Sequence, residues 1–208
     1  MPSCSRQAGG LFYSVKGLAS NLSRHGIDTF VICGKDEFSE EDILTWPAHI
    51  RPILTKKYRP YSFSFMPNLV SEIERVDPDI IHVHGWLAGL LPLYLKTLYK
   101  DEPLFSESKI VTSIYETGFE GTLNKKMLNK IEFDGIDPKA SAHLKNPDYH
   151  ALSLTAIEHS DALIKGSKVL PKSIDDACEK SGKPLLSYHP IDDFVDAYID
   201  FYQTKVLK

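Results

Sequence analysis

Cysteine is scarce. Cys4, Cys33 and Cys178 lie far apart and form neither a Cys-x-x-Cys pair nor a Cys/His metal spacing. That pattern excludes a disulfide-stapled scaffold and a structural zinc site, and it fits a reducing, cytoplasmic setting. Neither Gly-x-Gly-x-x-Gly nor Gly-x-x-x-x-Gly-Lys-Ser/Thr occurs, so the two commonest phosphate-binding fingerprints are missing. The longest apolar run, residues 87–95, is too short to cross a bilayer. The first residues lead into a polar, glycine-containing segment without the apolar stretch of a signal peptide. Basic residues do not dominate: 24 Lys and Arg against 28 Asp and Glu leave a formal net charge of -4, which argues against a nucleic-acid partner.

What is present is ordinary for a globular chain. Hydrophobic residues make up 42% and charged residues 25%, enough apolar mass over 208 residues for a sizeable core. The most informative stretch is Asp77-Pro-Asp-Ile-Ile-His-Val-His-Gly-Trp86 and the leucine-rich segment after it. It reads as a short strand, apolar on both faces, feeding a helix, and so as a central element of the core. In an open α/β sheet, ligands bind outside the carboxyl ends of the strands. His82, His84, Gly85 and Trp86 fall at that end.

The rest of the chain alternates in the same way. Leu11, Val15, Leu18, Ala19 and Leu22 share one helical face, and that helix stops near Gly26. Strands are predicted at 29–33, 50–54, 109–115, 161–166 and 185–188. Helices are predicted at 67–76, 122–131, 148–160 and 172–180, with a last helix capped by Asp192. Residues 40–46 read as a short acidic helix or turn, and 56–66 and 101–108 as loops. This alternation predicts an α/β fold with a doubly wound, Rossmann-like parallel sheet. No strand precedes the glycine-containing opening, so the sheet is expected to lack its first strand.

Several residues have the chemistry for a site. Gly9 and Gly10, in a loop before a helix, let backbone N–H groups approach a phosphate. Asp77 and Asp79 form an Asp-x-Asp pair, which in some glycosyltransferases holds a metal; here it lies at the amino end of the strand and reads as a turn. His82 and His84 share one strand face, yet no cysteine or carboxylate cluster offers a third ligand, so no metal is expected. One of the two is expected to be a satisfied core residue, with His84 the better ligand candidate. Trp86 either stacks on a sugar or caps the core. Tyr115, Glu116, Phe119 and Glu120 lie in a polar, glycine-containing loop after the next strand. Either they contact sugar hydroxyls and faces, or the loop is simply solvated.

With these residues in view, the chain resembles the N-terminal domain of a GT-B glycosyltransferase, and within that group the glycogen and starch synthases. The short single-domain synthase-like proteins of Bacteroidetes are the most similar. The resemblance rests on Asp79-Ile-Ile-His-Val-His-Gly-Trp86, Leu91-Pro-Leu-Tyr94, Tyr99-Lys-Asp-Glu-Pro-Leu-Phe105, Ala156-Ile-Glu-His-Ser-Asp-Ala-Leu-Ile-Lys-Gly-Ser167 and Asp192-Asp-Phe-Val-Asp-Ala-Tyr198. The first third resembles the broader GT-B family, and the two parts meet near His82-Val-His-Gly85.

The resemblance implies one GT-B N-terminal-type domain over residues 1–208, with the second domain absent. It implies retaining transfer of glucose from ADP-glucose, with UDP-glucose as the other candidate donor, to an α-1,4-glucan, and no cofactor. Gly9 and Gly10 match the loop that approaches the donor phosphates. Arg6 stands near the place of the family's lysine, which is missing here. His84 and Trp86 match a His-x-His-Asp-Trp stretch in which Gly85 replaces the aspartate. Tyr115 and Glu116 stand where the family has His-Asn, the histidine of which helps to hold the transferring sugar. Turnover is therefore expected to need a partner domain or a second copy. The alternative is a non-catalytic glucan- or nucleotide-sugar-binding domain.

Overall fold

The computed structural model describes residues 8–34, 51–55, 70–71, 73–190 and 193–208, of which 8–14, 32–34 and 51–55 are described by backbone alone. The chain divides into two compact units, one of residues 1–76 and 191–199, the other of residues 77–190 and 200–208.

In the first unit, helix α1 (Ala8–Arg24) precedes strands β1 (Phe30–Gly34) and β2 (Arg51–Thr55), which pair in parallel. Leu18, Ala19 and Leu22 are buried, as their spacing requires. Gly9 and Gly10 are not loop residues: they are the second and third residues of α1. The expected element at 40–46, the loop at 56–66 and the capping Asp192 lie outside the described residues. Residues 70, 71, 73 and 74 are helical, as predicted for 67–76.

The second unit carries a four-stranded parallel sheet. Strands β3 (Ile80–His84), β4 (Lys109–Ile114), β5 (Ala162–Lys165) and β6 (Leu185–Leu186) lie side by side in chain order. Parallel neighbours need long crossovers, and helices supply them. α2 (Leu91–Lys96) and α3 (Pro103–Ser106) link β3 to β4. α4 (Lys126–Phe133) and α5 (Tyr149–His159) link β4 to β5, and α6 (Lys172–Lys180) links β5 to β6. The sheet is parallel and flanked by helices, the α/β architecture expected.

The core of this unit follows from composition. Ile114, Ile157, Leu163, Leu170, Ile174 and Cys178 form one buried cluster. β4 is its most enclosed strand, buried at every position after Lys109. β3 differs from expectation. Ile81 and Val83 are buried, whereas Ile80, His82 and His84 on the other face are only partly so. Among the described residues β3 pairs with β4 alone, which makes it the edge of this sheet.

Boundaries follow local chemistry. Asp77 adopts a positive φ of 49°, which Asp tolerates better than most residues, and this turn launches β3 as the turn reading of Asp77-Pro-Asp79 predicts. Pro92 falls in the first turn of α2, where its missing N–H costs nothing. Pro103 starts a helical turn in a stretch read as loop, and α4 begins at Lys126 rather than near residue 122. Asp148 caps α5 by accepting the Ala151 backbone N–H at 2.8 Å.

Candidate functional site at the carboxyl edge of the sheet

The site is built around the exit from β3. Gly85 has φ 69° and ψ -179°, a combination essentially restricted to glycine. Its N–H donates to the Ser113 carbonyl at 3.2 Å, tying the turn to the end of β4. The chain then enters a short 3-10 turn, Trp86–Ala88, which leaves Trp86 partly exposed. Gly85 is thus matched to the backbone conformation that aims Trp86.

Two histidines precede this turn, and each meets a tyrosine. Their rings lie 3.9 Å apart between centroids. His82 is bonded through both nitrogens: Nε2 to the Ser113 hydroxyl at 2.8 Å and Nδ1 to the Tyr202 hydroxyl at 2.7 Å. His84 Nδ1 meets the Tyr115 hydroxyl at 2.9 Å, while its Nε2 makes no hydrogen bond among the described residues. Burial holds both imidazoles neutral. It lowers His82 well below the usual 6.5, helped by repulsion from His84, and it lowers His84 to about 4.

Tyr115 is positioned from below. Its ring lies against Gly166, where a Cβ would come within 2.6 Å of the ring, so only glycine lets the tyrosine lie there. The Tyr149 hydroxyl, at the start of α5, donates to the Tyr115 carbonyl. The Glu116 N–H donates to the Ser167 hydroxyl at 3.0 Å, joining the loops that follow β4 and β5. The Glu116 carboxylate is exposed, as is Glu120.

An aromatic cluster completes the edge. The Trp86 and Phe119 rings are 4.6 Å apart, and the Phe119 and Tyr149 rings 6.5 Å apart in an edge-on arrangement. All three are partly exposed. Between them runs a narrow cleft lined by Gly85, Trp86, Ser113, Tyr115, Thr117 and Tyr149, with room for little more than a water molecule. Its chemistry is that of neutral hydrogen-bonding groups beside aromatic faces. Lys165, at the end of β5, is already held by Asp175 at 2.7 Å and Glu179 at 2.6 Å. Among the described residues no three His, Cys, Asp or Glu side chains gather as a metal ion would need.

Four of the residues singled out in the sequence therefore come together: His84, Trp86, Tyr115 and Glu116 all lie at this edge, and His82 is the satisfied histidine. Gly9 and Gly10 open α1 in the other unit, and Arg6 lies outside the described residues. Sequence reasoning missed Ser113, Tyr149, Gly166 and Tyr202. Ser113 and Gly166 lie at strand ends already identified, which was the available clue, and Tyr149 opens the helix expected at 148–160. Tyr202 lies 120 residues from His82 and no spacing rule connects them. Among the described residues no helix is long and apolar enough to cross a membrane.

Comparison with known proteins finds two families that match this chain. The family described as "Starch synthase catalytic domain" matches residues 57–179, which include His82, His84, Trp86, Tyr115, Glu116 and Tyr149. A second family, "Glycosyltransferase Family 4", matches residues 8–105. The glycogen synthase of Thermotoga maritima is 30% identical over 112 residues, 53% of this chain and 21% of its own length. That of Pelodictyon phaeoclathratiforme is 36% identical over 97 residues, 47% of this chain and 19% of its own. That of Pseudothermotoga lettingae is 46% identical over 46 residues, 22% and 10% respectively. The chain thus spans about a fifth or less of the length of the curated relatives it matches. The starch synthase match takes in more than half of the 208 residues, and the chain belongs to the starch synthase catalytic domain family.

Proposed function

We propose that this chain is a glycosyltransferase domain of the glycogen and starch synthase type, one N-terminal-type domain that handles glucose at the carboxyl edge of its sheet. The donor is a nucleotide diphosphate glucose, ADP-glucose before UDP-glucose, and the acceptor an α-1,4-glucan. The observation that carries this reading is the convergence of His84, Trp86, Tyr115 and Glu116 at one edge, inside the segment that matches the starch synthase family. His84 keeps Nε2 for a sugar hydroxyl, Trp86 and Phe119 offer faces for the ring, and Glu116 accepts from further hydroxyls. Gly9, Gly10 and Arg6 are the proposed contacts of the donor phosphates, since the first N–H groups of α1 have no partner within the helix.

Turnover depends on a partner. Glucosyl transfer builds negative charge on the leaving diphosphate, and the enzyme must stabilise it. The enclosed part of this edge supplies neutral imidazoles and phenols, and its inner lysine, Lys165, is spoken for by two carboxylates. A second domain or a second copy would supply the missing cations.

A second reading, a non-catalytic glucan- or nucleotide-sugar-binding domain, has its own observation. Tyr115 occupies His84 Nδ1, and the adjoining cleft is too narrow for a sugar ring as it stands. The two readings separate in one assay. Labelled glucose from ADP-glucose, with UDP-glucose in parallel, is offered with glycogen to the purified chain and to its His84→Ala variant. Incorporation above the variant supports transfer by this chain. Retention on glycogen without incorporation fits the binding reading or a transferase that awaits its partner, and neither retention nor incorporation, in folded protein, contradicts both.

A further inference from the structure

The main helix of the C-terminal segment (Phe194–Phe201, α7) ends in a turn of a different kind. Residues Tyr202–Val206 form a π-helix, closed by a hydrogen bond from the Leu207 N–H to the Tyr202 carbonyl at 3.0 Å. Such turns are rare and gather at functional sites, because the extra residue re-aims a side chain. Tyr202 is buried, and its hydroxyl lies 2.7 Å from His82 Nδ1, with the two rings edge-on at 5.9 Å.

We propose that Tyr202 is a positioning residue for the carboxyl-edge site: through His82 it fixes the face on which the His84 ring rests. A neutral imidazole carries one N–H and one bare nitrogen. The Tyr202 phenol is a stronger acid than the Ser113 hydroxyl, so of these two it is the one that donates, to Nδ1. Nε2 then carries the proton and donates to Ser113, whose side chain is fully buried at the end of β4. Held at both nitrogens, the His82 ring cannot turn. His84 lies against it, the rings tilted by 37° with centroids 3.9 Å apart, and receives its own phenol, Tyr115, on the corresponding nitrogen. Two tyrosines from distant elements thus hold two adjoining imidazoles, the second of them nearer the strand end. The inference rests on the reading that His84 faces the ligand, but the arrangement of the rings can be tested without ligand.

The test is nitrogen-15 NMR of the histidine rings in the full chain, for wild type, Tyr202→Phe and a control, Tyr94→Phe. Tyr94 is likewise buried, and its hydroxyl bonds Asp134 away from the histidines. In the wild type, His82 should show a protonated Nε2 and a bare, hydrogen-bonded Nδ1. Tyr202→Phe should turn this into a tautomer mixture and shift the His84 resonances, while Tyr94→Phe leaves both alone. A wild-type His82 protonated on Nδ1 would overturn the proposal even if the variant failed to fold. So would unchanged His82 and His84 signals in a folded Tyr202→Phe protein, or the same shifts in the control. Ligand affinity is read separately. Tyr202→Phe should weaken maltoheptaose binding about threefold to tenfold, equivalent to roughly 0.7–1.4 kcal/mol. If the ring signals change as expected but wild type does not bind maltoheptaose or ADP-glucose, the positioning stands and the function reading fails.

Discussion

The two ends of the four-stranded sheet use polar residues in opposite ways. At the amino end, the side chains of Asp161, Ser108 and Lys183 are spent mainly on backbone. Asp161 accepts the Ile110 N–H at 2.7 Å and pairs with Lys96 at 2.8 Å. Ser108 donates to the Pro78 carbonyl at 2.6 Å. Lys183 reaches the carbonyls of Ile157, Glu158 and Ser160, the unsatisfied end of α5. At the carboxyl end, side chains bond mainly to one another, His82 to Ser113 and Tyr202, and His84 to Tyr115, and aromatic faces remain partly open. Bonds that tie backbone cannot be exchanged without unfolding. Bonds between side chains can be traded for bonds to a ligand. The comparison teaches that the amino end holds the fold and the carboxyl end is where a sugar would compete.

Substitutions at each end should break this contrast if it is wrong. The largest effect is expected at the amino end. Asp161→Ala leaves the Ile110 N–H without its carboxylate acceptor and removes the partly exposed pair with Lys96, and it should lower stability by about 3 kcal/mol in urea unfolding, with ligand binding retained at low temperature. At the carboxyl end, Gly166→Ala puts a methyl within 2.6 Å of the Tyr115 ring. It should cost roughly 2 kcal/mol and displace the ring, so that the His84 NMR signals move. Equal binding losses from both substitutions would erase the distinction.

Acidity sharpens it further. The folded-state pKa of His84 is lowered to about 4, so on acidification the unfolded chain takes the proton first. Its contribution is therefore complete above pH 6.5 and is lost as pH falls from there toward 4. The loss is on the order of 2 kcal/mol once the partial exposure of the ring is allowed for. Urea midpoints of wild type and His84→Gln between pH 7 and pH 4 should converge as the pH falls, and parallel curves would contradict the assignment. The smallest effect on stability belongs to Tyr115→Phe, under about 1 kcal/mol. It frees His84 Nδ1 and should strengthen maltoheptaose binding if Tyr115 competes with the sugar; weaker binding would make the phenol a sugar contact instead.

Much of this architecture was legible in the chain. α6 runs over 172–180 as its pattern predicts, because Ile174 and Cys178 lie one turn apart amid charged residues. His84 and Tyr115 could be placed together because both end adjacent strands, and strand ends need only a correct strand order. α3 was read as a loop since four residues are too few to show a helical period. The start of α4 falls later than its pattern suggests because the basic stretch before Met127 has no apolar stripe, and Asn124 accepts the Lys126 N–H at 2.9 Å to open the helix there. Gly166 beneath Tyr115 and Tyr202 beside His82 were not legible, because both contacts join elements far apart in sequence. The edge position of β3 was likewise hidden, since Ile80, Ile81 and Val83 read equally well as an interior strand.

The central claim is that the carboxyl edge receives a sugar. Backbone and indole nitrogen-15 NMR, recorded while maltoheptaose and then ADP-glucose are added, tests it directly. The account predicts shifts at Trp86, Tyr115, Glu116, Phe119 and the His84 ring, joined by Gly9 and Gly10 only when ADP-glucose is added, with the amino-end residues Ser108, Asp161 and Lys183 unmoved. A folded sample whose carboxyl-edge signals stay still at millimolar ligand, or whose shifts gather at the amino end, would contradict it.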